Sequence, residues 1–262
     1  MSHRWSNFCP RSLPSLCYHL SFLEKLIVQN KQNKMFGFYS KPLVCDRIDA
    51  GRQLVHHPAI AAYRDRADAI ILALPRGGVP VAYEIAAALN VQLDLMLVRK
   101  LGTPGHEEYA MGAIAMGGIV YVNPRLRYGV QESELKKVIQ AESAELNRRN
   151  SHYRGGKPYP NLTGKHVLLV DDGIATGATM RAAALAVRKL QPSRIIIAAP
   201  VGAPDSVQAL GDVADEVVCL HQPPSFASVG SWYGVFPQTE DGEVLSLLAK
   251  AECFGSGSAG KE

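Results

Sequence analysis

Between Val167 and Thr179 the chain reads VLLVDDGIATGAT: four apolar residues, two carboxylates, then a loop of small and hydroxyl residues. An apolar run of this kind, closed off by charge, has the pattern of a strand buried on both faces. The loop leads into Met180–Leu190, whose pattern is helical and which ends on Arg188 and Lys189 with Pro192 just beyond. A strand feeding directly into a helix is half of a parallel crossover unit, so the chain is expected to build a parallel sheet covered by its own connections.

The same alternation recurs on either side. Ala69–Leu74 (AIILAL) is an apolar run bounded by Pro75 and Gly77. It precedes a helix with Pro80 in its first turn and Val81, Ile85, Ala88 and Leu89 on one face. Val91–Val98 reads as the next strand and Glu132–Arg149 as a charged, solvent-facing helix. Arg194–Ala199 and Glu216–Leu220 read as two further strands, flanking a short helical stretch near Ser206–Leu210. There is no internal repeat. The sequence therefore predicts an α/β fold with a parallel sheet and helices on both faces.

Charge removes one class of function. The formal net charge is +4 over 262 residues. Arg4, Arg11, Lys25, Lys31 and Lys34 against Glu24 place all of it in residues 1–34. The body from Met35 onward is neutral, which argues against a nucleic-acid partner held by bulk electrostatics. Residues 1–34 show no clear period and end in QNKQNK. They are expected to be an N-terminal extension, disordered or non-native, with an organelle transit peptide as the alternative. The folded unit is expected over 35–254 and a flexible tail over 255–262. The five cysteines are scattered without zinc spacing or a CxxC pair, which fits a reducing, cytoplasmic setting. No apolar run approaches the roughly 18–20 residues of a membrane helix, and no membrane partner is expected.

In an open parallel sheet, ligands bind beyond the carboxyl ends of the strands. Three such ends carry unusual residues. In the first, Gly173, Ala175, Gly177 and Ala178 leave backbone N–H groups uncovered. Thr176 and Thr179 add hydroxyls and the helix N-terminus adds its dipole, which together make a phosphate cradle. Asp171 and Asp172 would repel that phosphate and suit instead a neighbouring group with hydroxyls to donate, such as a ribose diol. A Walker loop, a GxGxxG fingerprint and a DxD phosphatase pair are all absent from this stretch. The second end is Leu74–Gly78, where Arg76 offers a planar fork for phosphate and Gly77 and Gly78 allow close backbone approach. The third is Arg99 and Lys100, adjacent cations at an expected strand tip, followed by GTPGHEEYAMG. Gly102, Pro104, Gly105 and Gly112 there argue against regular structure. His106, Glu107 and Glu108 read mainly as a solvated loop face. Beyond the last strand, Phe226, Trp232, Tyr233 and Phe236 crowd a Pro/Gly-rich segment. They suit either stacking on a planar base or a small satellite core. Arg148, Arg149 and Arg154 read as solvated.

On these residues the chain resembles a known family. Val167–Thr179 looks like the phosphoribosyl-diphosphate (PRPP) motif of type I phosphoribosyltransferases. The segments LPRGGVPVAYEIA, VRKLGTPGHEEYAMGAIA and VGSWYGVF resemble a bacterial-type group within it. The resemblance implies a five-stranded parallel core with helices on both faces and a small hood. It implies Asp171 and Asp172 on the ribose hydroxyls, Gly173–Thr179 on the 5-phosphate and Arg76–Gly78 on pyrophosphate. It also implies a mobile lid over Gly102–Gly112 and a possible homodimer. The implied reaction transfers the 5-phosphoribosyl group from PRPP to a small-molecule acceptor, a nucleobase nitrogen, with release of pyrophosphate. Arg76, Arg99 and Lys100 would neutralise the leaving group together with Mg²⁺ bound mainly through PRPP. In relatives that use 6-oxopurines the position of Ala175 is an aspartate, whereas alanine there is similar to the members that act on adenine. Two rivals stay open at this stage. One is a PRPP-binding regulator without catalysis and the other a phosphohydrolase using the same cradle.

Overall fold

The computed structural model describes residues 42–122 and 129–255. The expectations for residues 1–34 and for the tail past Gly255 lie outside these. In chain order the elements begin with α1 (Arg47–Val55), α2 (Pro58–Ala61), β1 (Ala69–Ala73), α3 (Gly78–Leu89) and β2 (Gln92–Leu95). A hairpin and its extension follow: β3 (Val98–Thr103), β4 (His106–Ala115) and β5 (Ile119–Val122). Then come α4 (Glu132–Arg154), β6 (His166–Val170), α5 (Ala178–Lys189), β7 (Arg194–Val201), α6 (Pro204–Leu210), β8 (Glu216–His221) and α7 (Asp241–Ala251), with a single 3₁₀ turn at Val229–Trp232.

Five strands form one parallel sheet in the order β2-β1-β6-β7-β8, as expected. Alternate side chains of each strand enter different cores, as the two-residue period of a strand requires. Ile71, Ala73, Leu168, Val170, Ile196 and Ala198 pack with α1, α3 and α7 on one face. Ile70, Leu72, Val167, Leu169, Ile195 and Ile197 pack with α5 and α6 on the other. With both faces covered, β1 is buried along its whole length, which is why it reads as an unbroken apolar run.

Two expectations are corrected here. The strand expected over Val91–Val98 ends at Leu95, and Val98 opens a separate antiparallel sheet, β3-β4-β5. The Tyr159 hydroxyl explains the break: it donates to the Leu95 carbonyl and accepts from the Leu97 N–H. Both backbone groups are thereby satisfied off the sheet and the chain is free to turn away. The segment Gly102–Gly112, expected to lack regular structure, is mostly the β3–β4 hairpin, with a register irregularity at Gly102. Gly112 is a strand residue packed so closely that a Cβ there would lie 2.2 Å from the Tyr121 carbonyl oxygen. Its glycine reflects tight strand pairing rather than a loop.

The helix expected over 132–149 continues to Arg154. It starts on a Gln131–Glu134 capping box and stops at Gly155 with φ +59°. Arg154 is not solvated: it is 7% exposed, grips both carboxylate oxygens of Asp94 at 2.7 and 2.8 Å, and lies over the Tyr159 ring. Arg148 and Arg149 pair with Glu145 on their own helix, in keeping with a solvent-facing role.

Candidate active site

β1 and β6 are neighbouring parallel strands with Ala73 opposite Val170, so the loops leaving their carboxyl ends lie side by side. A Cβ on Gly77 would stand 1.9 Å from Oδ2 of Asp172, and one on Gly78 would stand 2.6 Å from the Val170 carbonyl oxygen. Only glycine permits this approach, and it brings the Arg76 loop against the acidic pair. The peptide between Pro75 and Arg76 is cis.

The two carboxylates differ in their partners. Asp171 accepts the Asp172 backbone N–H on Oδ1 at 2.9 Å. Asp172 accepts the Arg47 fork, Nε at 2.9 Å and Nη2 at 2.8 Å, both on Oδ2. Nothing in the sequence around Arg47 marks it as a partner of this pair. Burial, and next the charge of Asp172, raises the Asp171 pKa well above the ordinary carboxylate value. Asp172 is also raised by burial, with the Arg47 charge and hydrogen bonds pulling the other way.

From Gly173 the chain crosses under the 3₁₀ turn, where a Cβ would meet the Val229 side chain at 2.5 Å. Ile174 then bridges to Gly202 beyond β7. Ala175 and Thr176 are exposed, and the Thr176 hydroxyl accepts the Ala178 N–H at 3.4 Å. Gly177 caps α5 with φ +71°, a left-handed conformation that disfavours a side chain. The loop thus ends on a helix N-terminus whose N-cap, Gly177, has no side chain to cap it, the Thr176 hydroxyl meeting only the first N–H.

Three hollows surround this loop. A cavity of about 490 Å³ is lined by Arg47, Arg76, Gly77, Asp172, Phe236 and Gln238, among others. One of about 230 Å³ lies between Thr176–Ala178, Arg181, Ser206 and the β4–β5 strands at Gly112 and Tyr121. A third, about 480 Å³, contains Thr179 together with Arg99 and Lys100. Arg99 and Lys100 are therefore on the phosphate-loop side, but inside β3 rather than at a tip of the parallel sheet. Arg99 pairs with Glu142 of α4 at 2.6 Å. His106 is exposed near the hairpin turn, and the side chains of residues 107–110, Glu107 and Glu108 included, lie outside those described.

The aromatic segment divides between its two readings. Tyr233 is fully buried and its hydroxyl donates to the Asp172 carbonyl at 2.6 Å, so it supports the acidic pair and has no face for a base. Phe226 and Trp232 stack on each other with centroids 6.4 Å apart and pack against the main core. Phe236, by contrast, lines the cavity, with the Arg47 guanidinium 3.9 Å over its ring. The segment also bridges back to the start of the described chain through Val44 and Tyr233, covering the Asp172 end of the sheet where a hood is expected.

Comparison with known proteins agrees with this layout. Residues 46–228 match the family model described as a phosphoribosyl transferase domain. Two Mycobacterium tuberculosis proteins, from different strains and each named "Putative phosphoribosyl transferase", are 42% identical over 208 residues. The match takes in 79% of this chain and 46% of theirs, so the chain spans about half the length of these curated relatives. The crystal structure of TT1426 from Thermus thermophilus superposes with a TM-score of 0.70 at 38% identity, over 79% of this chain and 98% of that one. A five-stranded parallel sheet, an acidic pair at the tip of its central strand and a family match that takes in both place this chain in the phosphoribosyl transferase domain family.

Proposed function

We propose that the protein transfers the 5-phosphoribosyl group of PRPP to a nucleobase nitrogen and releases pyrophosphate. The observation that carries this reading is the gathering of three groups beyond the carboxyl ends of β1 and β6. These are the Asp171–Asp172 pair, the Arg76–Gly78 loop pressed against it, and the open N-terminus of α5 beyond Gly177. Each meets a different part of PRPP: diol, pyrophosphate and 5-phosphate.

In the reaction the bond from C1 of the ribose to pyrophosphate breaks, and its electron pair leaves on the pyrophosphate oxygen. The acceptor nitrogen lone pair forms the new bond to C1, and the acceptor's proton passes to the departing pyrophosphate or to solvent. Positive charge accumulates on the sugar meanwhile. The nearby carboxylates favour that charge while they accept the ribose hydroxyls. Arg76 sits where it can take up charge on the leaving group, as a guanidinium fork suits phosphate oxygens. Among the described residues no three His, Cys, Asp or Glu side chains converge as a metal cage. Mg²⁺, which keeps substrate and water oxygens as ligands, would arrive on PRPP and would supply positive charge for the leaving pyrophosphate. Gln238 supplies an amide for a planar acceptor in the cavity that Phe236, under the Arg47 guanidinium, also lines. No helix among the described residues is long and apolar enough to cross a membrane.

The test is pyrophosphate release from PRPP and Mg²⁺ with a panel of nucleobases. Base-dependent release with formation of the nucleotide is the expected result. Release at the same rate without any base would indicate a hydrolase, and tight PRPP binding without turnover a sensor.

A further inference from the structure

Arg47 belongs to no motif, yet it is the most fully engaged side chain at the site. It is the first residue of α1, set by the Asp46 cap, whose carboxylate accepts the Asp49 N–H. Its Nε and Nη2 both fall on Oδ2 of Asp172, its Nη1 donates to the Pro237 carbonyl at 2.6 Å, and its plane lies over Phe236. The pair is largely shut from water, with side chains 11% and 15% exposed.

Both Arg47 contacts use Oδ2 of Asp172, and Asp171 takes the Asp172 backbone N–H on Oδ1. The two carboxylates also hydrogen-bond to each other side chain to side chain, so Arg47 anchors one end of a paired acidic unit. Two vicinal hydroxyls donating to the pair would take the place of that mutual contact.

We infer that Arg47 is a positioning residue. It fixes the rotamer in which Asp172 meets Asp171, favours the ionised form of Asp172, and ties the diol site to Phe236 and the segment after β8. This rests on the PRPP-transfer reading above. The charged and titratable groups facing Asp172 are Arg47 from α1, Asp171 on its own strand, Arg76 from the loop after β1 and Tyr233 from the segment after β8. Of these, Arg47 is the cation in direct contact.

The experiment compares wild type, Arg47→Gln and Arg47→Lys by two readouts. The first is titration of the Asp171–Asp172 pair by ¹³C-carboxyl NMR. The second is Mg²⁺–PRPP affinity by calorimetry from pH 5 to 9, with thermal unfolding to confirm that each variant is folded. Arg47→Gln is expected to raise the titration midpoint of the pair. It should also weaken PRPP at neutral pH by tenfold or more, with the loss shrinking toward alkaline pH. Arg47→Lys, which keeps the charge but not the fork, should lose less and titrate close to wild type; it carries the test if the glutamine variant does not fold. If Arg47→Gln titrates and binds PRPP as wild type does, or if its affinity loss is the same at every pH, the role is purely structural and the inference is overturned. If Arg47→Gln does not fold, unchanged PRPP affinity in Arg47→Lys overturns it. If wild type itself does not bind PRPP, the functional reading fails and this one with it, an outcome distinct from the others.

Discussion

The Tyr233 hydroxyl and the Asp172 backbone carbonyl form a 2.6 Å hydrogen bond that joins the segment after β8 to the acidic pair at the end of β6. Tyr233 is wholly buried, and burial, with the Asp172 charge next, raises its pKa far above that of an ordinary phenol. It remains a neutral donor throughout the physiological range. Tyr233→Phe keeps the ring and deletes the donor, leaving a buried carbonyl one partner short. The expected cost is about 1–3 kcal/mol, seen as a lowered melting temperature and weaker PRPP binding. Unchanged stability and affinity in calorimetry would refute a supporting role.

The two aspartates should answer differently to neutralisation. Asp171 has its pKa raised in the fold, so from the unfolded value of about 3.9 upward the folded state binds more protons than the unfolded one. Stability therefore declines as pH rises through that window. Asp171→Asn removes the Asp171 share of this decline, leaving that of Asp172, whose pKa is also raised. It should match wild type at acid pH and, at pH 7 without ligand, melt higher by about 2 °C or more, the shift that about 1 kcal/mol makes in a domain of this size. Asp172→Asn, in contrast, leaves the Arg47 guanidinium half-enclosed without its anion and should destabilise by about 1–3 kcal/mol. Both should weaken PRPP tenfold or more, since a hydrogen bond to a charged group is worth about 1.5–3 kcal/mol. Melting curves across pH 4–8 give the answer. A lower melting point for Asp171→Asn at neutral pH would contradict the account.

Gly77→Ala is the smallest change that should disable the site. The added methyl would fall 1.9 Å from Oδ2 of Asp172, the oxygen held by Arg47, so the clash has no flexible end to yield. Overpacking of this kind costs about 1–3 kcal/mol. PRPP affinity should fall at least tenfold because the acid and the Arg76 loop are forced apart. Gly242→Ala in α7 is the control, a glycine that faces open space without a left-handed φ, and it should leave PRPP affinity intact. Equal effects of the two would argue against a specific close approach.

These contacts show what the sequence could convey and what it could not. The three inner strands β1, β6 and β7 were legible because each carries an apolar run, a direct consequence of burial on both faces by α1, α3 and α7 and by α5 and α6. The acids and the phosphate loop were legible because they are contiguous. The end of β2 was not, because the Tyr159 hydroxyl that replaces its ladder arrives from 62 to 64 residues away. Nor was Arg47, 125 residues from Asp172, since nothing in RIDAGRQLV distinguishes it from a surface arginine at a helix start. The hairpin was obscured by Gly112, which reads as a breaker and is a consequence of close strand pairing.

The last expectation concerns the acceptor and rests on Ala175. This residue is exposed in the loop between Ile174 and the α5 N-terminus, and from Gly173 to Met180 the chain has no other side chain that could take up an acidic role. Family members that use 6-oxopurines carry an aspartate at the matching position, and alanine can neither donate nor accept a proton. General acid–base assistance is worth about 10²- to 10⁴-fold in rate. Hypoxanthine and guanine should accordingly be poor acceptors, with adenine preferred over them. Initial rates of pyrophosphate release, measured at saturating PRPP with adenine, hypoxanthine, guanine, orotate and uracil, decide the matter. Faster release with hypoxanthine or guanine than with the other three bases would show that the acid is supplied from elsewhere in the chain and that Ala175 does not set the choice of acceptor.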